Sequence, residues 1–218
     1  SRLASAWSIF DAGAVGLPGL HAWAIELRPG AFARPEDARR HARQQARALL
    51  CAQLAPVLGC AAQALAVSDT RGQPPRLVWR GPGHAPDALA GIGLSIAHAP
   101  GLSLVAWHAG GAVGVDVQAL PPGADAAELR RTAALVLPPE SVLALGQQAQ
   151  TAPFFEAFCA QWAAHEARLK CLGQPLAEWH PALAAGLAGV CTAALVLPPW
   201  ALSAGAAALA WRPGKLAA

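Results

Sequence analysis

Between positions 93 and 118 apolar runs alternate with turn signals. Breaks at Pro100-Gly101 and Gly110-Gly111 mark three predicted strands, 94–97, 102–107 and 113–118. In the last, Val113, Val115 and Val117 share one face, and Gly114, Asp116 and Gln118 share the other. Asp116 and Gln118 therefore emerge side by side. Upstream, positions 35–54 follow a helical period: Ala38, Ala42, Ala46, Leu49, Leu50 and Leu54 form one stripe. Pro35 suits the first turn of that helix, where Glu36 and Asp37 meet its positive end. Arg39, Arg43 and Arg47 recur every four residues on another side, which by itself reads as a solvated helix face.

Leu120-Pro121-Pro122-Gly123 breaks the chain near its midpoint, and helices are predicted over 126–137, 139–148 and 153–172. The third closes at Gly173, with Phe155, Phe158, Trp162, Leu169 and Leu172 as its apolar stripe. Glu166 lies one turn from both Trp162 and Lys170, so it borders that stripe. Residues 182–211 contain no Asp, Glu, Lys, Arg or His and exceed the ~20 residues that cross a bilayer. Pro198-Pro199 interrupts this stretch and Ser203-Ala204-Gly205 is a turn signal, so two strands, 190–197 and 206–212, joined by a loop are predicted instead. Leu209-Ala210-Trp211 echoes Val105-Ala106-Trp107, which suggests an α+β fold of two pseudo-symmetric halves, 1–119 and 120–218.

Composition narrows the function. With 218 residues, 55% of them hydrophobic, the chain has ample core for a folded protein. A net charge of +3 drawn from only 13% charged residues does not suit a nucleic-acid polyelectrolyte, but it does suit an anionic ligand or an acidic partner. Cys51, Cys60, Cys159, Cys171 and Cys191 form no Cys-x-x-Cys pair and read as reduced core thiols of a cytoplasmic protein. The opening Ser1-Arg2-Leu3-Ala4 lacks the order of a signal peptide. In so uncharged a chain, carboxylates on apolar elements, such as Asp116 and Glu166, need a metal or a cation beside them.

Three blocks in this order resemble the Sfp-type 4'-phosphopantetheinyl transferases. Ser95-Ile96-Ala97-His98 resembles that family's Asn-hydrophobic-Ser-His block, and Gly114–Gln118 its Gly-x-Asp-x-Glu. Residues 162–170 resemble its Trp-x-x-Lys-Glu-Ala-x-x-Lys. Weaker matches are Glu36-Asp37-Ala38-Arg39-Arg40, Gly72-Gln73-Pro74 and Leu137-Pro138-Pro139-Glu140. The resemblance implies two α+β halves with the active site in the cleft between them. It implies transfer of the phosphopantetheine arm of coenzyme A to a serine of an apo acyl, peptidyl or aryl carrier protein, with release of 3',5'-ADP. Such proteins serve fatty acid, polyketide or nonribosomal peptide synthesis.

On this reading Asp116, Glu166 and Gln118 hold Mg²⁺ or Mn²⁺, which polarises the pyrophosphate. Lys170 and His98 donate to phosphate oxygens, and Glu166 takes the proton of the carrier serine, directly or through water. Arg40, His41, Gln73, Pro74 and Ser95, with His98 and Lys170, contact coenzyme A, and Arg39 or Arg43 adds charge. A cytoplasmic monomer is expected.

Taken singly, these residues have plainer readings. His98 is then a satisfied core or loop histidine, Glu166 and Lys170 an i,i+4 helix pair, and Trp162 core packing under Glu166. Gln118 stands where the family has Glu, His165 and Gln73 where it has Lys, and Ala97 and Ala99 where it has serines. The site thus holds fewer charges than its relatives. A catalytically weakened paralogue that binds coenzyme A or a carrier protein is therefore the main alternative. A small membrane-associated structural protein, resting on the apolar tail alone, is the third.

Overall fold

The computed structural model describes residues 6–11, 19–27, 34–70, 72–120 and 122–212. Ser1-Arg2-Leu3-Ala4 and Pro121 lie outside them. Nine strands are described: β1 (Ala6–Asp11), β2 (Leu20–Glu26), β3 (Leu65–Val67), β4 (Leu77–Trp79), β5 (Gly93–Ala99), β6 (Leu102–His108), β7 (Val113–Gln118), β8 (Cys191–Leu195) and β9 (Ala206–Trp211). The α-helices among the same residues are α1 (Pro35–Val57), α2 (Ala126–Val136), α3 (Pro139–Gly146), α4 (Thr151–Cys171) and α5 (Pro181–Leu187). The fold is α+β, with antiparallel sheets ordered β1-β2-β6-β5, β3-β4 and β7-β9-β8.

Period-two alternation decides how the two larger sheets meet. Leu20, Ala22 and Ala24 of β2, and Leu102, Leu104 and Ala106 of β6, share one buried cluster with Val113, Val115 and Val117 of β7 and Leu209 of β9. The inner faces of both sheets therefore close on a single core. The outer face of the first sheet, through Ile25, Leu94, Val105 and Trp107, packs under Ala46, Leu49, Leu50 and Leu54 of α1. The outer face of the second, through Ala208 and Ala210, packs under Ala163, Ala167 and Cys171 of α4.

Alanines and glycine let α4 approach closely. A Cβ on Gly114 would collide with the carbonyl oxygen of Ala167 and lie 2.6 Å from the Cys171 nitrogen. Glycine is thus required at that point of β7 for steric reasons, whatever its backbone angles. β5 and β7 are edge strands of their respective sheets, and they adjoin at a seam where Ser95 Oγ accepts the Val115 N–H at 2.9 Å.

The C-terminal helices brace α4. Asp125 caps α2 by accepting from the Ala127 and Glu128 N–H groups. Arg130 of α2 donates to the Leu145 and Gln148 carbonyls and lies 3.9 Å over the Phe154 ring. Arg168 of α4 donates to the Leu187 carbonyl at the end of α5.

The structure corrects the sequence reading in several places. α5 occupies 181–187, in a stretch expected to hold only two strands and a loop. β1, β2, β3 and β4 were not predicted, and α1 runs on through Pro56 to Val57. Phe154, not Phe155, is the fully buried aromatic at the start of α4. Among the cysteines, all free, Cys51, Cys159 and Cys171 are buried and Cys60 is half-buried, whereas Cys191 is exposed rather than a core thiol. The 119/120 division falls just after β7, whose sheet partner β9 lies in the C-terminal half. Among the described residues no helix is long and apolar enough to cross a membrane.

Candidate active site

The alternation of β7 turns Asp116 outward beneath α4, where it is 5% exposed. Lys170, on the last turn of α4, reaches down to it: Nζ donates to Asp116 Oδ1 at 2.6 Å and to the Val115 carbonyl at 3.4 Å. One turn earlier, Glu166 comes beside the same aspartate, and Trp162 Nε1–H donates to Glu166 Oε1 at 3.1 Å. The residues at 162, 166 and 170 therefore form one ridge of α4 along the seam. Trp162, expected to act only as packing, is also a hydrogen-bond donor to the acid.

Burial raises the Glu166 carboxyl above its usual range, and the neighbouring Asp116 charge raises it further. Lys170 and the Trp162 N–H pull in the other direction, and a hydrogen bond shared with Asp116 adds to the rise. Two carboxyl groups and one ammonium thus compete within one small volume. Their oxygen donors suit a hard divalent cation, and the charge repulsion that raises Glu166 is what such a cation relieves. The residues therefore fit Mg²⁺, with Asp116 and Glu166 as the carboxylates that would hold it.

Gln118 leaves β7 on the same face, two positions along, and its Nε2 donates to the Ala119 carbonyl at 2.8 Å. That bond leaves the amide oxygen as its end for a cation. Among the described residues no group of three or more His, Cys, Asp or Glu side chains is arranged to hold a metal. The candidate set is two carboxylates and an amide.

Across the seam, His98 stands on the outer face of β5. Its Nδ1 lies 2.7 Å from the hydroxyl of Ser103 on β6, directly opposite it in the ladder. Desolvation pushes its pKa down to about 4, reinforced by the positive charges of Lys170, Arg43 and Arg47. His98 is thus the point at which the basic side of α1 and the end of α4 converge. Arg47 is ion-paired with Asp69. The arginine stripe is consequently solvated only toward its start: its far end faces the seam, which helical periodicity alone does not reveal.

The remaining candidates fall unevenly. Arg40 has a side chain 65% exposed and pairs with Asp37 at 3.5 Å. His41 is half-buried on the next position of α1. Ser95 is buried, with its oxygen committed to the Val115 N–H, so it clamps β5 to β7. Gln73 is exposed, and its backbone N–H closes a turn onto the Thr70 carbonyl. Pro74 abuts the end of α4: a Cβ on Gly173 would lie 3.3 Å from its Cγ. The loop holding Gln73 and Pro74 therefore crosses to within three residues of Lys170.

His165, which stands where the family motif has Lys, turns away from the seam. It is 2% exposed, both ring nitrogens lack hydrogen-bond partners, and its ring centroid is 6.0 Å from that of Trp179, near α5. One residue of helical rotation separates it from Glu166, which turns it toward the core. Burial, aided by the Arg168 charge, pushes its pKa down to about 4.

Comparison of the chain with known protein families and with curated proteins gave no match.

Proposed function

We propose that this protein is a 4'-phosphopantetheinyl transferase acting on an apo carrier protein, with the seam between β5 and β7 as its active site. The observation that carries the reading is the convergence of Asp116, Glu166, Lys170 and His98 from three separate motif blocks, flanked by Arg43 and Arg47. An α+β fold with one long helix on the outer face of each main sheet supports the expected pseudo-symmetric pair of halves.

The chemistry follows from the charges. Coenzyme A brings a pyrophosphate and a 3'-phosphate, for which Lys170, Arg43 and Arg47 supply positive charge and His98 a neutral N–H donor. The carrier serine oxygen attacks the phosphorus that bears the pantetheine arm. A new O–P bond forms, the P–O bond to the nucleotide breaks, and 3',5'-ADP leaves. Glu166 accepts the serine proton; its raised pKa makes it a stronger base than an exposed glutamate, and Trp162 fixes its orientation. Mg²⁺ held by Asp116 and Glu166 would supply electrostatic stabilisation of the pyrophosphate.

The reading is tested by incubating the protein, coenzyme A and Mg²⁺ with a panel of apo carrier proteins and weighing the carriers by mass spectrometry. A phosphopantetheine mass gain on at least one carrier is expected. A second reading, a coenzyme A or carrier-binding module without turnover, is favoured by two features: Lys170 is already held by Asp116 and the Val115 carbonyl, and position 118 lacks a third acid. Retained coenzyme A binding with no mass gain across the panel would select it.

A further inference from the structure

His98 faces three cations, yet an anion needs a hydrogen there, so the ring tautomer decides what this residue can do. Ser103 is completely buried on the α1 side of β6, beside Val105 and Trp107 on the same face. Its hydroxyl lies 2.7 Å from His98 Nδ1, and among the described residues it meets no other hydrogen-bonding side chain. A hydroxyl proton buried without an acceptor is costly, so the proton is directed at Nδ1. An imidazole that accepts at Nδ1 and is neutral carries its own hydrogen on Nε2. Nε2 lies across the ring from Ser103, and His98 as a residue is exposed.

We propose that Ser103 is a positioning residue: it accepts no ligand itself, but holds His98 in the Nε2–H tautomer and aims that N–H at an anionic ligand in the seam. The groups facing His98 are Lys170 from α4 and Arg43 and Arg47 from α1. All three disfavour a charged imidazolium, so His98 serves as a neutral donor among permanent cations. An acceptor-type Nε2 would present a lone pair to the incoming phosphate and repel it. Ser103 is therefore a specificity element for anions that lies outside the three sequence motifs. The proposal rests on the reading of the seam as a coenzyme A site.

The test uses the full chain labelled with ¹⁵N. Long-range ¹H–¹⁵N correlation of the imidazoles, with His98 assigned through His98→Gln, reads the tautomer without any ligand. The Nε2–H form is expected in the wild type; a ring protonated at Nδ1, or an even mixture, overturns the proposal even if neither Ser103 variant folds. Titration with 3',5'-ADP then gives the functional arm. Ser103→Ala is expected to weaken binding about three- to tenfold, the loss of one modest hydrogen bond, and Ser103→Thr to restore it. Equal affinity in wild type and Ser103→Ala overturns the proposal. A wild type with the expected tautomer but no affinity for 3',5'-ADP overturns instead the coenzyme A reading on which the aiming of the N–H rests.

Discussion

Replacing Lys170 with methionine removes the ammonium that contacts the Asp116 carboxylate at 2.6 Å and leaves that group buried next to Glu166. The size of the effect follows from how the pair is exposed. The Asp116 side chain is 6% exposed and that of Lys170 34%, so the pair is intermediate between a buried and a surface ion pair. Breaking a fully buried pair costs ~3–5 kcal/mol and an exposed one ~0–1, so a loss of about 2 kcal/mol is expected for Lys170→Met. In a chain of this length that lowers Tm by about 4–8 °C. Asp116→Asn costs less, because it leaves a partly solvated ammonium and relieves Glu166 of its like-charged neighbour. The double variant is then more stable than the sum of the singles implies, with a coupling of about 1–2 kcal/mol. Differential scanning calorimetry of the four proteins at neutral pH measures this. Additive losses, or a Lys170→Met protein as stable as the wild type, would refute the packing of α4 onto β7 described above.

Other expectations concern the same seam and its supports. Gly114→Ala should destabilise by more than the ~1–3 kcal/mol of ordinary overpacking, because the added methyl meets the backbone of α4 rather than a side chain; chemical denaturation checks this. His165, with its pKa pushed down from 6.5 to about 4, contributes stability above pH 6.5 that is lost as pH falls through about 4. That difference is worth about 3 kcal/mol, and His165→Leu should flatten the fall of Tm with pH across this window. Trp162→Phe removes a donor that lowers the Glu166 pKa, so the acidic limb of a transfer rate against pH should move to higher pH, with little change in coenzyme A affinity.

Where local periodicity and tertiary placement coincide, the sequence was legible. The strict alternation of β7 told which side Asp116 would take, and the 162–166–170 spacing told that Trp162, Glu166 and Lys170 share a ridge. Asp125 and Pro139 sit at helix starts as their chemistry requires. α4 was harder, because it is packed by a sheet and by α2, α3 and α5, so burial runs around most of its circumference and a single stripe misassigns Phe154. The same all-round burial encloses His165, a polar residue whose burial no stripe marks.

α5 was missed because Pro181–Leu187 is alanine- and glycine-rich, with no polar face to give a period. β3 and β4 are three residues each, too short to alternate visibly. Ser103 carries no motif at all. Only the antiparallel register of β5 and β6, which sets it opposite His98, makes it relevant.

The most direct test of the account is transfer of a fluorescent pantetheine arm from labelled coenzyme A to an apo carrier protein, measured for the wild type and Glu166→Gln alongside the coenzyme A Kd of each. The account predicts labelling by the wild type and none by Glu166→Gln, with both proteins binding coenzyme A. Labelling by Glu166→Gln at the wild-type rate would contradict it.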